Sequence, residues 1–356
     1  MEVEKLLRLM VSKGASDLHL KVPSPPVLRI NGELIVQDEF APLAPQDVDS
    51  IFEQVTTQEQ KETFYRELEL NFAYSIPKLG RFRVNALRQR GTISLIFHLV
   101  PSQIPSIDQL ELPQICKELI LRPRGLILIT GPAGSGKSTT LAAMINHVNE
   151  NQRRNIITIE DPIEFLFRDK KCIIHQRELG SDTKSFSVAL TQALRHDPDI
   201  IVIGEMRDLD TIRTAITAAE TGHLVVGTLH TIDAAQTIDR IIDIFPAIQQ
   251  RQVRLQLSQV IEAVLSQILL PRIQGGRIAA FEIMIGNNLI RRLIREERIY
   301  EIPQILELSS KEGMQSLNQA LVDLVRRNII TVQDALNKSS NPLKLQELLQ
   351  AKGLVA

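Results

Sequence analysis

The chain is short of the features that mark several large protein classes. It has two cysteines, Cys116 and Cys172. They match no zinc-ligand spacing and no disulfide framework, so both are expected as reduced cytoplasmic thiols. The formal net charge is -1, so no overall basic field invites a nucleic acid. Nothing basic and aromatic lines up as a groove for a single strand, which sets a DNA helicase behind other readings. No uncharged apolar run approaches the roughly 18 residues of a membrane span. The opening stretch MEVEKLLRLMVSKGASDLHL is amphipathic but carries acids and no cleavage site, so no secretory signal is expected. There is no internal repeat and no low-complexity tract. What remains is 356 residues, 44% hydrophobic and 23% charged. That is an ordinary globular composition, able to bury its own core in two or three domains.

The first hundred residues mix short helical and strand patterns. LLRLMV (6–11) has helical character, while LHLKV (18–22) and VLRI (27–30) read as strands. Asn31-Gly32, between VLRI and ELIV, signals a hairpin turn. A helical stretch near 46–66 follows, then two strands, RFRVNALRQ (81–89) and TISLIFHLV (92–100). This predicts a small α+β domain over 1–100. PSQIPSIDQLELP (101–113), with three prolines, reads as a linker leading to a short helix, and 101–120 is assigned to it. The pattern then changes over 121–285. Apolar runs GLILIT (125–130), NIITIE (155–160), DIIVIGE (199–205) and LVVGTLH (224–230) alternate with helices near 137–148, 184–196 and 208–221. Continuous apolar strands alternating with helices imply a parallel sheet covered on both faces. Asp208 is a candidate N-cap and Gly222 a candidate C′ residue of the last of these helices. Val253, Leu257, Val260, Ile261, Val264, Leu265 and Ile268 suggest one long helix, RIAAFEIMI (277–285) a further strand, and 286–356 a helical region.

GPAGSGKST (131–139) is a phosphate cradle: Gly131, Gly136, Lys137 and Ser138 fit G-x-x-x-x-G-K-[ST]. Pro132, Ala133, Gly134, Ser135 and Thr139 complete the loop. Glycines let backbone N–H groups converge on phosphate oxygens, and the helix N-terminus adds its positive end. Lys137 would neutralise β and γ phosphates, and Ser138 would ligate Mg²⁺. Glu205 ends the run DIIVIGE where a metal-binding Asp is commoner; Gly204 takes that place. Glu205 therefore reads as the group that polarises the attacking water, against the plainer reading of a strand-end acid paired to Arg207. Glu160, Asp161 and Glu164 crowd the end of another strand and repel one another unless a cation is near, with hydrated Mg²⁺ the obvious candidate. The plainer alternative is a charged surface turn. His223 and His230 bracket an apolar strand; a structural histidine is the bland alternative to a group that reports the γ-phosphate beside Glu205. Arg81 and Arg83 project from one face of their strand, either as a solvated face or as an arginine finger supplied across a boundary.

Taken together, these motifs resemble the secretion ATPases that drive type II secretion and type IV pili, and within them the pilus-retraction (twitching-motility) ATPases. ASDLHL (15–20), PPVLRINGEL (25–34), GPAGSGKSTT (131–140), TIEDPIEF (158–165), HDPDIIVIGEMRD (196–208) and AAETGHLVVGTLHT (218–231) carry the resemblance over nearly the whole chain. It implies an α/β fold: a RecA-like P-loop NTPase core, a small α+β PAS-like N-terminal domain and a helical C-terminal region. It implies a homo-hexamer with ATP and Mg²⁺ between one core and a neighbour's N-terminal domain. Catalytic roles then fall on Glu205, Glu164, Glu160, His230, Arg83 and Arg81, with His223, Asp161, Arg195 and Arg207 as sensor or supporting positions. Ser138 would hold Mg²⁺, aided through water by Glu160, Glu164 and Glu205. A second trans arginine is usual fifteen residues after Arg83, where this chain has His98; either Arg90 substitutes or catalysis is weaker. NLIRRLIRE (288–296) resembles a C-terminal stretch of retraction motors, with Leu289, Ile290, Leu293 and Ile294 on its apolar side and Arg291, Arg292 and Arg295 around them.

The expected function is a cytoplasmic motor, peripheral at the inner membrane, that hydrolyses MgATP and withdraws pilin through an inner-membrane platform protein. The expected partners include no nucleic acid. An accessory paralogue, a pilus assembly or secretion ATPase, and a nucleotide-gated binding module with little turnover are the alternatives. Two cysteines cannot build the tetracysteine zinc site usual in assembly and secretion ATPases.

Overall fold

The computed structural model describes residues 2–355. These divide into two compact units. One runs to Gln103 and includes Glu164–Leu166; the other comprises Ile104–Ile163 and everything from Phe167 on.

The first unit opens with a helix, Val3–Ser12, whose Val3, Leu6, Leu7 and Met10 are buried at helical spacing. Its six strands are β1 (Asp17–Lys21), β2 (Val27–Ile30), β3 (Glu33–Val36), β4 (Glu69–Ile76), β5 (Gly80–Gln89) and β6 (Thr92–Val100). They form one sheet in the order β3-β2-β1-β6-β5-β4, antiparallel throughout. Asn31 and Gly32 both take positive φ, 50° and 89°, as the expected two-residue hairpin turn requires. The helical stretch near 46–66 is two helices, Pro45–Val55 and Gln58–Glu67. The break comes at Thr57, whose hydroxyl accepts the Gln60 N–H while the Gln60 side chain returns a bond to the Thr57 N–H. Strand β4 carries no clear signal because only Phe72 and Ile76 of its eight residues are buried.

In the second unit the strands are β7 (Gly125–Thr130), β8 (Asn155–Glu160), β9 (Ile173–Glu178), β10 (Ile200–Ile203), β11 (Leu224–Leu229), β12 (Ile261–Pro271) and β13 (Arg277–Ile285). The sheet order is β13-β12-β7-β11-β10-β8-β9. All pairs are parallel except β12 with β13. Every residue of β7, β10 and β11 is buried, which is why they read as unbroken apolar runs. Helix Lys137–Asn151 buries Leu141, Met144, Ile145 and Val148, as its spacing suggested.

The long helix expected through Ile268 does not exist. Helix Ala247–Val260 ends, and β12 begins at Ile261 beside β7. Ile261 and Ala263 through Gln267 are buried. A strand covered on both faces has no period of its own, so its apolar residues fell by chance on the helical stripe before them.

Helices Leu317–Arg326, Val332–Lys338 and Pro342–Ala351 form a separate cluster around Leu270 and Ile278 at the far end of β12 and β13, with Leu321, Leu324, Leu345 and Leu349 buried. Helix Asn288–Arg295 buries Ile290, Leu293 and Ile294. One expectation for it is corrected. Leu289 is 42% exposed and does not join the apolar side. Arg291, beside that apolar side, pairs with Glu262 at 2.6 Å and donates to the Gly286 carbonyl at 2.6 Å. Glu262 also pairs with Arg122.

Candidate active site

Because β7, β11, β10 and β8 run parallel and side by side, their carboxyl ends share one edge. Ligands of open α/β sheets bind at that edge. It gathers the cradle after β7, His230 after β11, Glu205 after β10 and Asp161 after β8.

The cradle is built as its glycines demand. Gly131, Gly134 and Gly136 take φ of 142°, 74° and 90°, values side-chain-bearing residues rarely adopt. The helix begins at Lys137, so its first N–H groups face the loop. Lys137 Nζ donates to the carbonyls of Gly131 and Pro132 at 2.7 and 3.0 Å. Ser135 Oγ is buried with no hydrogen-bond partner. A buried orphan hydroxyl inside a glycine loop fits a phosphate oxygen, and so tests the cradle on its own geometry.

Glu205 Oε1 lies 3.0 Å from His230 Nε2 and 2.5 Å from Arg207 Nε, and Arg207 Nη2 reaches Oε2 at 2.5 Å. The acid therefore sits beside the histidine and also in the fork with Arg207 that the plainer reading names. Burial opposes the charge of Glu205, but Arg207 and His230 outweigh it and hold the carboxyl below its ordinary range. Gly204 explains the missing aspartate: a Cβ there would press to 3.0 Å from the Ile159 carbonyl and 3.2 Å from Glu160 Cα. The Gly204 carbonyl accepts from Thr228 Oγ1, and the Met206 N–H donates to the Thr228 carbonyl at 3.0 Å, which ties the Glu205 turn to β11. Glu205, Arg207, His230 and Arg240 line a cavity of about 310 Å³.

Glu160 accepts from Thr158 Oγ1 at 2.6 Å and Gln176 Nε2 at 3.1 Å. Asp161 is exposed and supports the charge of Arg207. Glu164 is exposed and counts with the first unit, as do Arg81 and Arg83. Among the described residues no three His, Cys, Asp or Glu are grouped to hold a metal directly. The donors present, Ser138 and carboxylates, fit a Mg²⁺ ion that keeps most of its waters.

Two positions lie away from this edge. His223 precedes β11, seven residues and roughly 23 Å of strand from His230. Its Nδ1 lies 3.1 Å from the Ala218 carbonyl at the end of helix Leu209–Glu220. Arg195 is exposed in the loop that leads into β10. In the first unit, Arg83 stands opposite His98 across β5 and β6, and His98 opposite Asp17 across β6 and β1. His98 Nδ1 and Asp17 Oδ1 are hydrogen-bonded.

Two residues of the site carried no sequence signal. Arg240 sits in the last turn of helix Ala234–Asp243, where a basic residue is unremarkable. Gln267 lies on β12, inside the stretch that reads as helix.

No helix among the described residues is long and apolar enough to cross a membrane. Residues 82–276 match the family described as Type II/IV secretion system protein. The chain is 45% identical over 342 residues to the type IV pilus retraction ATPase PilT of Pseudomonas aeruginosa, covering 96% of this chain and 99% of that protein. It is 42% identical to the type IV pilus ATPase PilU of the same organism, covering 97% and 91%. A crystal structure of the pilus retraction motor PilT with bound ADP superposes with a TM-score of 0.90 at 44% identity, covering 98% of this chain and 99% of that one. The expected α/β architecture is present in this chain, with two sheets and a helical C-terminal region, and it matches that structure. The chain belongs to the type II/IV secretion system protein family and is a nucleotide-binding ATPase of it.

Proposed function

We propose that this chain is the motor that retracts a type IV pilus. Six copies form a ring, each turnover converts MgATP and water to ADP and phosphate, and domain rotation withdraws pilin through an inner-membrane platform protein. The motor then works in the cytoplasm, held at the inner membrane by its partners. The observation that carries this reading is the gathering of the cradle, Glu205 and His230 at one sheet edge, in a chain similar to a pilus retraction motor almost end to end.

The chemistry follows from the edge. Backbone N–H groups of residues 133–138, with the Lys137 side chain, hold the β and γ phosphates. Ser138 would hold Mg²⁺, with Glu160, Glu164 and Glu205 reaching it through water; the ion supplies charge neutralisation at the phosphates. Glu205 orients and polarises the attacking water, and His230, beside it, responds to the γ-phosphate. Asp161 and Arg207 support Glu205, while His223 and Arg195 serve at more distant positions. Arg81 and Arg83 would complete a neighbour's site in the ring. The working division is 1–100, 101–120, 121–285 and 286–356.

A second reading, an accessory paralogue, draws on the similarity to PilU. Counting surface pili by electron microscopy on source cells lacking the chain separates the two. Excess pili without twitching identify the retraction motor, and Glu205→Gln should fail to restore twitching. An unchanged count favours the paralogue. Bald cells would sink both, since the chain would then build pili.

A further inference from the structure

Gln267 is 2% exposed and sits on β12, next to the strand that feeds the cradle. Its Nε2 donates to the Ser135 carbonyl at 2.7 Å, and its Oε1 accepts from Thr140 Oγ1 at 2.8 Å. The amide thus joins the cradle loop to the first turn of the helix that follows it. The same residue also explains two of the motif's glycines. A Cβ at Gly131 would overlap the Gln267 carbonyl, and a Cβ at Gly136 would come within 2.9 Å of Gln267 Nε2.

We propose that Gln267 is a positioning residue for nucleotide binding: it holds the cradle's N–H groups in their phosphate-binding arrangement before the nucleotide arrives. This deepens the assignment of residues 131–139 as the phosphate site and rests on it. A loop of three positive-φ glycines loses much backbone freedom on ordering. A scaffold that orders it in advance removes that cost from binding. An amide suits the task because one group offers a donor to the loop and an acceptor to the helix. The two bonds cross from β12, one to the cradle and one to the helix after it, so they are not part of the helix or strand ladders.

The test is steady-state ATP hydrolysis and fluorescent-ADP binding by the full-length protein. Gln267→Leu should raise KM for ATP and the ADP Kd about 10- to 100-fold, the scale of two lost hydrogen bonds, with kcat at saturation nearly retained. Thr140→Val, which removes one bond, should give a smaller rise of the same kind. A merely structural role would lower the melting temperature of both variants and leave KM and Kd unchanged, and that result overturns the proposal. If Gln267→Leu does not fold, Thr140→Val and Gln267→Glu decide by the same readout; Glu keeps the acceptor for Thr140 but faces the Ser135 carbonyl without a donor. Lys137→Ala is the control for the underlying assignment. Should it bind ADP like the wild type, residues 131–139 are not the phosphate site, whatever Gln267 does.

Discussion

Glu205 is a half-buried carboxylate that stays ionised because two neighbours outweigh its burial. Burial raises its pKa, whereas the Arg207 fork and His230 lower it by more. If Glu205 polarises the water, it must be ionised to work, and the acid limb of the kcat/KM–pH profile lies below the ordinary 4.5. Arg207→Met takes away the stronger of the two lowering contacts and leaves burial in place. The limb should then move to higher pH, read from phosphate release across the pH range. A limb that stays put would mean that another group limits the rate. At this scale much of the site was legible in the residue order alone. Lys137, Ser138, Glu205 and His230 stand in strand-end motifs whose chemistry is local. Gln267 was not legible, because what makes it matter is the space beside Gly131 and Gly136, more than a hundred residues away in the chain.

At the scale of the element, β12 shows how burial erases pattern. Its neighbour β13 returns antiparallel and carries Glu282, whose Oε1 accepts the Ala234 N–H at 2.8 Å. That bond seats the start of helix Ala234–Asp243, three residues after Thr231 and on the same stretch as His230. Burial pushes the Glu282 carboxyl up to about 7, with Asp233 adding to the rise and the Ala234 N–H opposing it. A folded pKa above the unfolded value of about 4.5 means the protonated form is favoured on folding. Its contribution is complete below pH 4.5 and is lost as pH climbs through 7. Glu282→Gln keeps the acceptor and removes the charge. It should match the wild type near pH 4 and exceed it by about 3 kcal/mol at pH 9 in urea unfolding. A constant difference across that range would show that Glu282 does not titrate there. The basic helix Asn288–Arg295 belongs to this scale as well. Arg291 spends its charge on Glu262 and nearby carbonyls, which leaves Leu289, Arg292 and Arg295 on the outside.

For the whole molecule, each of the two compact units has its own main core. One is built from residues such as Leu7, Phe52, Phe64, Phe82 and Phe97; the other surrounds the parallel sheet. A chain of this kind departs from two-state unfolding. Calorimetry on the monomeric protein should resolve two transitions. An ATP analogue at a hundred times its Kd should lift the transition of the second core, which holds the cradle, by about 2.7 kcal/mol at the reference temperature. A lift confined to the other transition would place the nucleotide elsewhere.

The sequence by itself determined the features whose cause is local. Asn31-Gly32 demands positive φ, the glycines of 131–136 demand a loop no other residue tolerates, Asp208 caps the helix after it, and the unbroken apolar runs declare strands covered on both faces. Tertiary structure alone decided the rest. Which strands became neighbours brought His230 to Glu205 and left His223 at the opposite end of β11. The same pairing turned the tail of a helical stripe into β12 and set Gln267 against the cradle. Periodicity records only which way a residue faces its own element, while adjacency between distant elements is settled by which buried faces fit together.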